Sequence, residues 1–158
     1  MPYKVFISHS SRDQGTVISL ANLLSKFGVE VFVAEWYLAP GERIDTRIFR
    51  EIETSNCVVV LLTQEGIRSN WVQQEVGYAI SKGRHIIPLV EKGTKVGDLA
   101  ALQGKKYIEY DPYQPQKALI ELSTYVNSLK LKKEEQDRTL LVVGGLLAFL
   151  LLLSGSQK

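Results

Sequence analysis

The sequence predicts an α/β domain, a parallel sheet with helices on both faces, followed by an apolar C-terminal helix. Three observations lead there. Short runs rich in β-formers alternate with segments whose apolar residues recur at helical spacing, the pattern of successive βαβ units. The run "CVVVLL", residues 57–62, is apolar at every position, as suits a strand covered on both faces. Finally, "TLLVVGGLLAFLLLL", residues 139–153, carries no charge over 15 residues, more than an amphipathic surface helix needs.

The elements follow in order. "YKVFIS" reads as the first strand, and "SSRD" behind it offers Ser10 or Ser11 as a helix cap. Val17, Leu20, Ala21, Leu24 and Phe27 fall at helical spacing, and Gly28 stands where a left-handed residue ends a helix. "VEVFVA" is the second strand, followed by a turn through Pro40 and Gly41 and a helix carrying Ile44, Ile48, Phe49 and Ile52 on one side. After "CVVVLL" comes a helix around Val72, Val76, Ala79 and Ile80, the strand "HIIPLV", a loop with "GTKVGD" and a weaker strand "KKYIEY". A closing helix is expected from about Gln114 to Lys132. Right-handed crossovers make five strands so connected a flavodoxin-like sheet. The expected units are the domain at 1–129, a charged juxtamembrane linker "KLKKEEQDR" at 130–138, a transmembrane helix at 139–156 and a short tail at 157–158.

The apolar run spans roughly 22 Å as a helix, or roughly 27 Å through Ser156, against a hydrocarbon core of about 30 Å. Its eleven Leu, Val and Phe side chains favour insertion by roughly 3 to 7 kcal/mol. The alternative is a helix buried in the domain or in an oligomer core. Lys130, Lys132, Lys133 and Arg138 precede the run and Lys158 follows it. With no charged-then-apolar leader ahead of the first strand, the positive-inside tendency predicts a cytoplasmic domain on a single-pass tail anchor.

Composition narrows the function. A net charge of +2, from 19 basic and 17 acidic residues, lacks the strong basic field of a nucleic-acid binder. Cys57 and two histidines supply neither a disulfide framework nor a standard closed zinc site, so no metal is expected. The chain contains no G-x-G-x-x-G, no P-loop and no G-x-S-x-G elbow. Ligands of open α/β sheets bind beyond the carboxyl ends of the strands, which selects residues 8–12, 34–42, 63–71 and the loop after Val90. His9 stands at one such end, either as a ligand contact or as a polar loop residue. Cys57 opens an apolar strand and reads as core. Glu75 lies roughly 80° from the middle of its helix's apolar stripe, at about 100° per residue. By position alone it reads as a solvated helix-edge carboxylate.

The segments "YKVFISHSSRD", "VEVFVAEWYLAPGERI", "EIETSNCVVVLLTQEGIRSNWVQQEV" and "GRHIIPLV", in that order, resemble a prokaryotic Toll/interleukin receptor (TIR) domain over about residues 1–129. The most specific part is the strand, Thr63 and then "RSNWVQQE". In TIR domains that cleave NAD, the glutamate at this helix position is catalytic, which implies that role for Glu75. The resemblance further implies substrate contacts at Ser8, His9, Arg12, Glu35, Trp36, Leu38 and Trp71. It makes residues 35–43 the loop that closes the site, with Ala39, Pro40, Gly41, Glu42 and Arg43 taking part in assembly. Many relatives carry an aspartate at the end of the second strand. This chain has Ala34, then Glu35 and Trp36, so either Glu35 substitutes one position along or the ribose contacts differ. Arg12 has two roles open to it, a stacking or phosphate contact and a salt bridge at the first helix turn.

The implied activity is a membrane-anchored NAD glycohydrolase in prokaryotic antiviral defence or cell-death signalling. It would release nicotinamide with ADP-ribose or a cyclic form, with NAD as substrate and no cofactor. Implied partners are other TIR domains, a membrane and a downstream effector, without nucleic acid. Assembly at the membrane would raise effective concentration, and Gly144 and Ala148 form a small-x-x-x-small pair in the apolar run. The alternative is a non-enzymatic TIR interaction module. A nucleoside-processing enzyme on the same scaffold would be expected to bring more carboxylates to the strand ends.

Overall fold

The computed structural model describes residues 1–34, 44–95, 102 and 104–156. These residues form five strands and four helices: β1 (Lys4–Ser8), α1 (Gln14–Lys26), β2 (Glu30–Val33), α2 (Ile44–Thr54), β3 (Cys57–Leu62), α3 (Asn70–Ser81), β4 (His85–Glu91), β5 (Ile108–Tyr110) and α4 (Pro115–Gly155). All strands are parallel, in the order β2-β1-β3-β4-β5, the flavodoxin-like arrangement. The order reverses beside β1 and β3, and that crevice is where such sheets bind ligands.

β3 shows why the apolar runs are continuous. Cys57, Val59 and Leu61 face a layer with Val17, Leu20 and Leu24 of α1 and Leu119, Leu122 and Val126 of α4. Val58, Val60 and Leu62 face the other layer, with Ile48 and Ile52 of α2, Val72, Val76 and Ala79 of α3, and Leu102. One strand feeds two cores, so no position is left for a polar residue. α1 ends as its glycine foretells: Gly28 has φ +71°, and its amide bonds to the carbonyl of Ser25 at 3.0 Å.

The structure differs from expectation in three places that bear on function. Neither Ser10 nor Ser11 caps α1. Asp13 occupies that position without a side-chain cap, because the Ser10 hydroxyl is turned to the Asp13 carboxylate, 2.8 Å away. Ile80 is not core but partly exposed at the end of α3. The closing helix does not stop near Lys132 but runs unbroken through the charged junction and the apolar segment to Gly155. Residues 130–138 are mostly good helix formers without Gly or Pro. Lys130–Glu134 at 3.1 Å and Lys133–Asp137 at 3.3 Å add i,i+4 pairs. No part of the apolar window of α4 is buried against the rest of the protein, and the helix is long and apolar enough to cross a membrane.

Candidate functional site

The site is built where β1, β3 and α3 meet at the carboxyl edge of the sheet. β1 and β3 are paired through Ser8 and Val60, so the chain leaving β1 and the chain leaving β3 emerge side by side. After β3, a 3₁₀ turn (Gly66–Arg68) leads into α3. The Ser69 hydroxyl accepts the amide of Val72 at 3.4 Å and caps that helix. Glu75 lies on α3 beyond this cap, with Val72, Val76 and Ala79 holding the helix on the second core.

Glu75 is not the solvated edge residue that its helical position suggests. It is only 3% exposed. α3 packs on β1 as well as on β3, so the border of its apolar stripe meets the end of the sheet instead of water. The Ser8 hydroxyl, itself fully buried, donates to Glu75 Oε2. A buried carboxylate is costly unless it is hydrogen-bonded, and Ser8 is in place because β1 ends at that residue.

Around this pair lies a second polar cluster. The Asp13 carboxylate accepts from Ser10 Oγ and from Thr63 Oγ1, each at 2.8 Å. Thr63 Oγ1 in turn accepts the Gly66 amide at 2.9 Å. The two strand-end loops are thereby joined. Gly66 is required at its position, since a Cβ there would come within 2.8 Å of the Leu61 carbonyl oxygen. Asp13 and Gly66 were not singled out from the sequence. Their signal was weak: an acidic residue five after the strand and a glycine three after Thr63.

The other expected site residues divide into three groups. His9 is buried beside Ser8. Its Nδ1 lies 2.6 Å from the Ser10 carbonyl oxygen, so Nδ1 donates. Trp71, one helical turn before Glu75, is 39% exposed. Arg12 is exposed and forms a salt bridge, its Nη1 3.3 Å from Glu65 Oε1 across the two loops. Glu35, Trp36, Leu38, Ala39, Pro40, Gly41, Glu42 and Arg43 lie outside the described residues. Cys57 is core, as expected, and burial pushes its thiol up to about 12.

A groove of about 790 Å³ lies elsewhere, between β4, β5 and α4, with His85, Lys105, Lys106 and Tyr125 in its lining. It lies off the crevice between β1 and β3, where the buried carboxylate and its hydroxyl sit.

A sequence model of the TIR domain family matches residues 5–122. The chain belongs to the TIR domain family. Among curated relatives, this TIR protein is 27% identical to "2' cyclic ADP-D-ribose synthase AbTIR" of Acinetobacter baumannii, over 81% of this chain and 45% of that protein. It is 29% identical to "NAD(+) hydrolase PdTIR" of Paracoccus denitrificans, over 60% of this chain and 33% of that protein. It thus spans less than half the length of either relative. Among solved structures, the TIR domain of the Toll-related receptor TRR-2 from Hydra magnipapillata superposes with a TM-score of 0.66 at 21% identity, covering 78% of this chain and 97% of that one. That likeness carries the fold.

Proposed function

We propose that this TIR protein cleaves the nicotinamide–ribose bond of NAD, with Glu75 as its catalytic carboxylate. The observation that carries the reading is the buried Glu75 carboxylate held by Ser8 at the carboxyl edge, with Trp71 exposed one helical turn before it. Relatives bearing the names NAD(+) hydrolase and 2' cyclic ADP-D-ribose synthase support the substrate class.

The chemistry suits a site with one acid. Most glycosidases need a second carboxyl group to protonate the leaving oxygen. The nicotinamide of NAD is already cationic and departs as a neutral base. The developing positive charge passes to the ribose, where a preorganised carboxylate stabilises it. Glu75 would accept from the ribose hydroxyls through its oxygens, with Ser8 fixing the orientation of the carboxylate. Attack by water gives ADP-ribose and a proton; attack by a hydroxyl of the same molecule gives a cyclic product. Trp71 and His9, with Trp36, would wall the base, and Arg12, Glu35 and Leu38 would complete the substrate contacts. No cofactor enters this scheme.

We further infer that α4 anchors the domain in a membrane, with the domain on the cytoplasmic side. The unburied apolar half of α4 and the basic residues ahead of it support that topology. Self-association through TIR domains, with residues 39–43 in the contact, and a role in antiviral defence or cell-death signalling with a downstream effector complete the proposal.

A second reading is favoured by the same contact. Ser8 to Glu75 is also a bond that a purely structural carboxylate would make, as in a TIR module that only assembles. Nicotinamide release from NAD, followed beside Glu75→Gln, separates the two. Release that persists in the variant disproves the catalytic role, and absence of release from concentrated, membrane-reconstituted wild type leaves the assembly module.

A further inference from the structure

The course of α4 gives the domain an orientation. β5 ends at Tyr110, whose hydroxyl is 3.0 Å from Thr16 Oγ1 at the start of α1, so α4 begins beside the carboxyl edge. α4 is antiparallel to the strands, and about three turns along it Tyr125 places its hydroxyl 3.3 Å from His85 Nε2 at the first residue of β4. Lys130, with a side chain 17% exposed, reaches the Gly28 turn ahead of β2, its Nζ 3.8 Å from where a Cβ on that glycine would stand. The helix therefore leaves the domain past the amino edge of the sheet, opposite to Glu75. Because it continues unbroken to Gly155, no flexible joint lies between the domain and the apolar segment.

Distance and charge make that edge a surface. From Lys130 to Thr139 the helix rises roughly 13 Å. The headgroup layer occupies about 5 to 7 Å of this, which leaves a gap smaller than the Debye length of about 8 Å. A tilt of about 20°, usual for membrane helices, closes it further on one side. On the amino edge Glu51 and Glu53 are taken up by Lys4 and Lys82, and Glu134 and Asp137 by Lys130 and Lys133. Lys26 at the end of α1, Lys105 and Lys106 ahead of β5, and Lys132 hold no ion pair among the described residues, and all four are exposed. Arg84 adds a cation whose Nη1 is held by the Ser55 carbonyl. Glu30, Glu135 and Glu121, which lines the same groove as Lys105 and Lys106, stand against them, leaving the edge positive.

We propose that the amino edge of the sheet docks on the anionic lipid surface of the leaflet that α4 enters, so that the Glu75 edge faces away from the bilayer. This rests on the anchor proposed above. Each basic residue near such a surface shifts the docked population about five-fold, so Lys105 and Lys106 together are expected to shift it about 25-fold.

The test uses the full chain reconstituted in vesicles of phosphatidylcholine alone or with phosphatidylserine, carrying headgroup-nitroxide lipid. Native Cys57 is buried, so a fluorophore attaches selectively to Ser25→Cys on the amino edge or Gln64→Cys on the carboxyl edge. The expected result is quenching several-fold stronger at position 25 than at 64 in anionic vesicles. It should fall to the neutral-vesicle level in Lys105→Glu/Lys106→Glu. Equal quenching at the two positions, or quenching indifferent to lipid charge and to the reversal, overturns the docking. Carbonate-resistant flotation with neutral vesicles reads the anchor separately. A chain that floats but quenches equally loses only the docking, whereas one that does not float loses the anchor and the docking together.

Discussion

The two edges of the sheet handle polar groups in opposite ways. At the carboxyl edge, Ser8, His9, Ser10, Thr63 and Glu75 are buried, and their hydrogen bonds run inward, hydroxyl to carboxylate and amide to hydroxyl. At the amino edge the charges are ion-paired, Lys82–Glu53 at 2.9 Å with both side chains 43% exposed and Lys4–Glu51 with side chains 16% and 18% exposed. Burying a polar group costs free energy that only well-placed partners offset, while a surface pair costs and contributes little. A fold assembled for stability alone has no need of the first arrangement. The carboxyl edge is where this protein accepts a burden, and the catalytic role proposed for Glu75 would give a reason to accept it.

The largest effect that would break this comparison is on activity. Glu75→Gln preserves the size of the side chain and an acceptor for Ser8 while removing the charge. Nicotinamide release should fall by about a hundred-fold or more, with a Tm close to that of the wild type. A variant that unfolds while losing activity would instead mark Glu75 as structural. Ser8→Ala separates positioning from chemistry: it should lower the rate less than Glu75→Gln does, and a larger fall in kcat than change in KM would fit a misaligned carboxylate.

Next in size is the link between the loops. Gly66→Ala drives a Cβ against the Leu61 carbonyl, and Asp13→Ala leaves the Thr63 hydroxyl without its acceptor. Each should destabilise by about 1 to 3 kcal/mol in denaturant unfolding. Asp13→Asn, whose amide oxygen can still accept both hydroxyls, should recover much of the loss. If the alanine and asparagine variants behave alike, the hydroxyl bonds are not what joins the loops.

Much of this architecture was legible in the sequence. Runs such as "CVVVLL" require two-sided burial, and the positive φ of Gly28 follows from its place after a helical stripe. The burial of Glu75 was not legible, because a helical wheel locates a residue relative to its own helix and not to the strand end that the helix crosses. That depends on β1 lying next to β3, a long-range pairing. The family resemblance marked Glu75 by motif, and the structure adds Ser8 as its partner. The continuity of α4 was missed for a different reason. The charged junction was read as a linker by its polarity, whereas its composition and i,i+4 pairs are those of a helix.

Smaller effects test whether the amino edge is closed beneath its charged rim. Cys57 opens β3 there, and burial holds its thiol near 12, well above its ordinary value of 9.0. Iodoacetamide at pH 8 should leave the native protein unmodified and alkylate it fully in denaturant, read by intact mass. Since the folded value is the raised one, its contribution to stability is complete below about pH 9 and is lost as pH climbs toward 12. Tyr3, raised by the same burial, acts in the same direction at still higher pH. Rapid alkylation of the native state would show a rim that opens.

The smallest effect belongs to the surface pair itself. Glu53 has its carboxyl held below the usual range, first by the hydrogen bond from Tyr78 and then by that from Lys82. The sign is that of a depressed acid: its contribution is present above the ordinary glutamate value and lost as pH falls through the lower, folded one. The group is exposed, however, so screening leaves little to lose. Glu53→Gln should therefore leave the Tm at neutral pH unchanged within error, and leave nicotinamide release unchanged as well, because the pair lies at the far edge from Glu75. A clear drop in Tm would mean that the amino edge carries a structural charge network after all. The contrast between the edges would then be one of degree, and burial at Glu75 would lose its force as a mark of function.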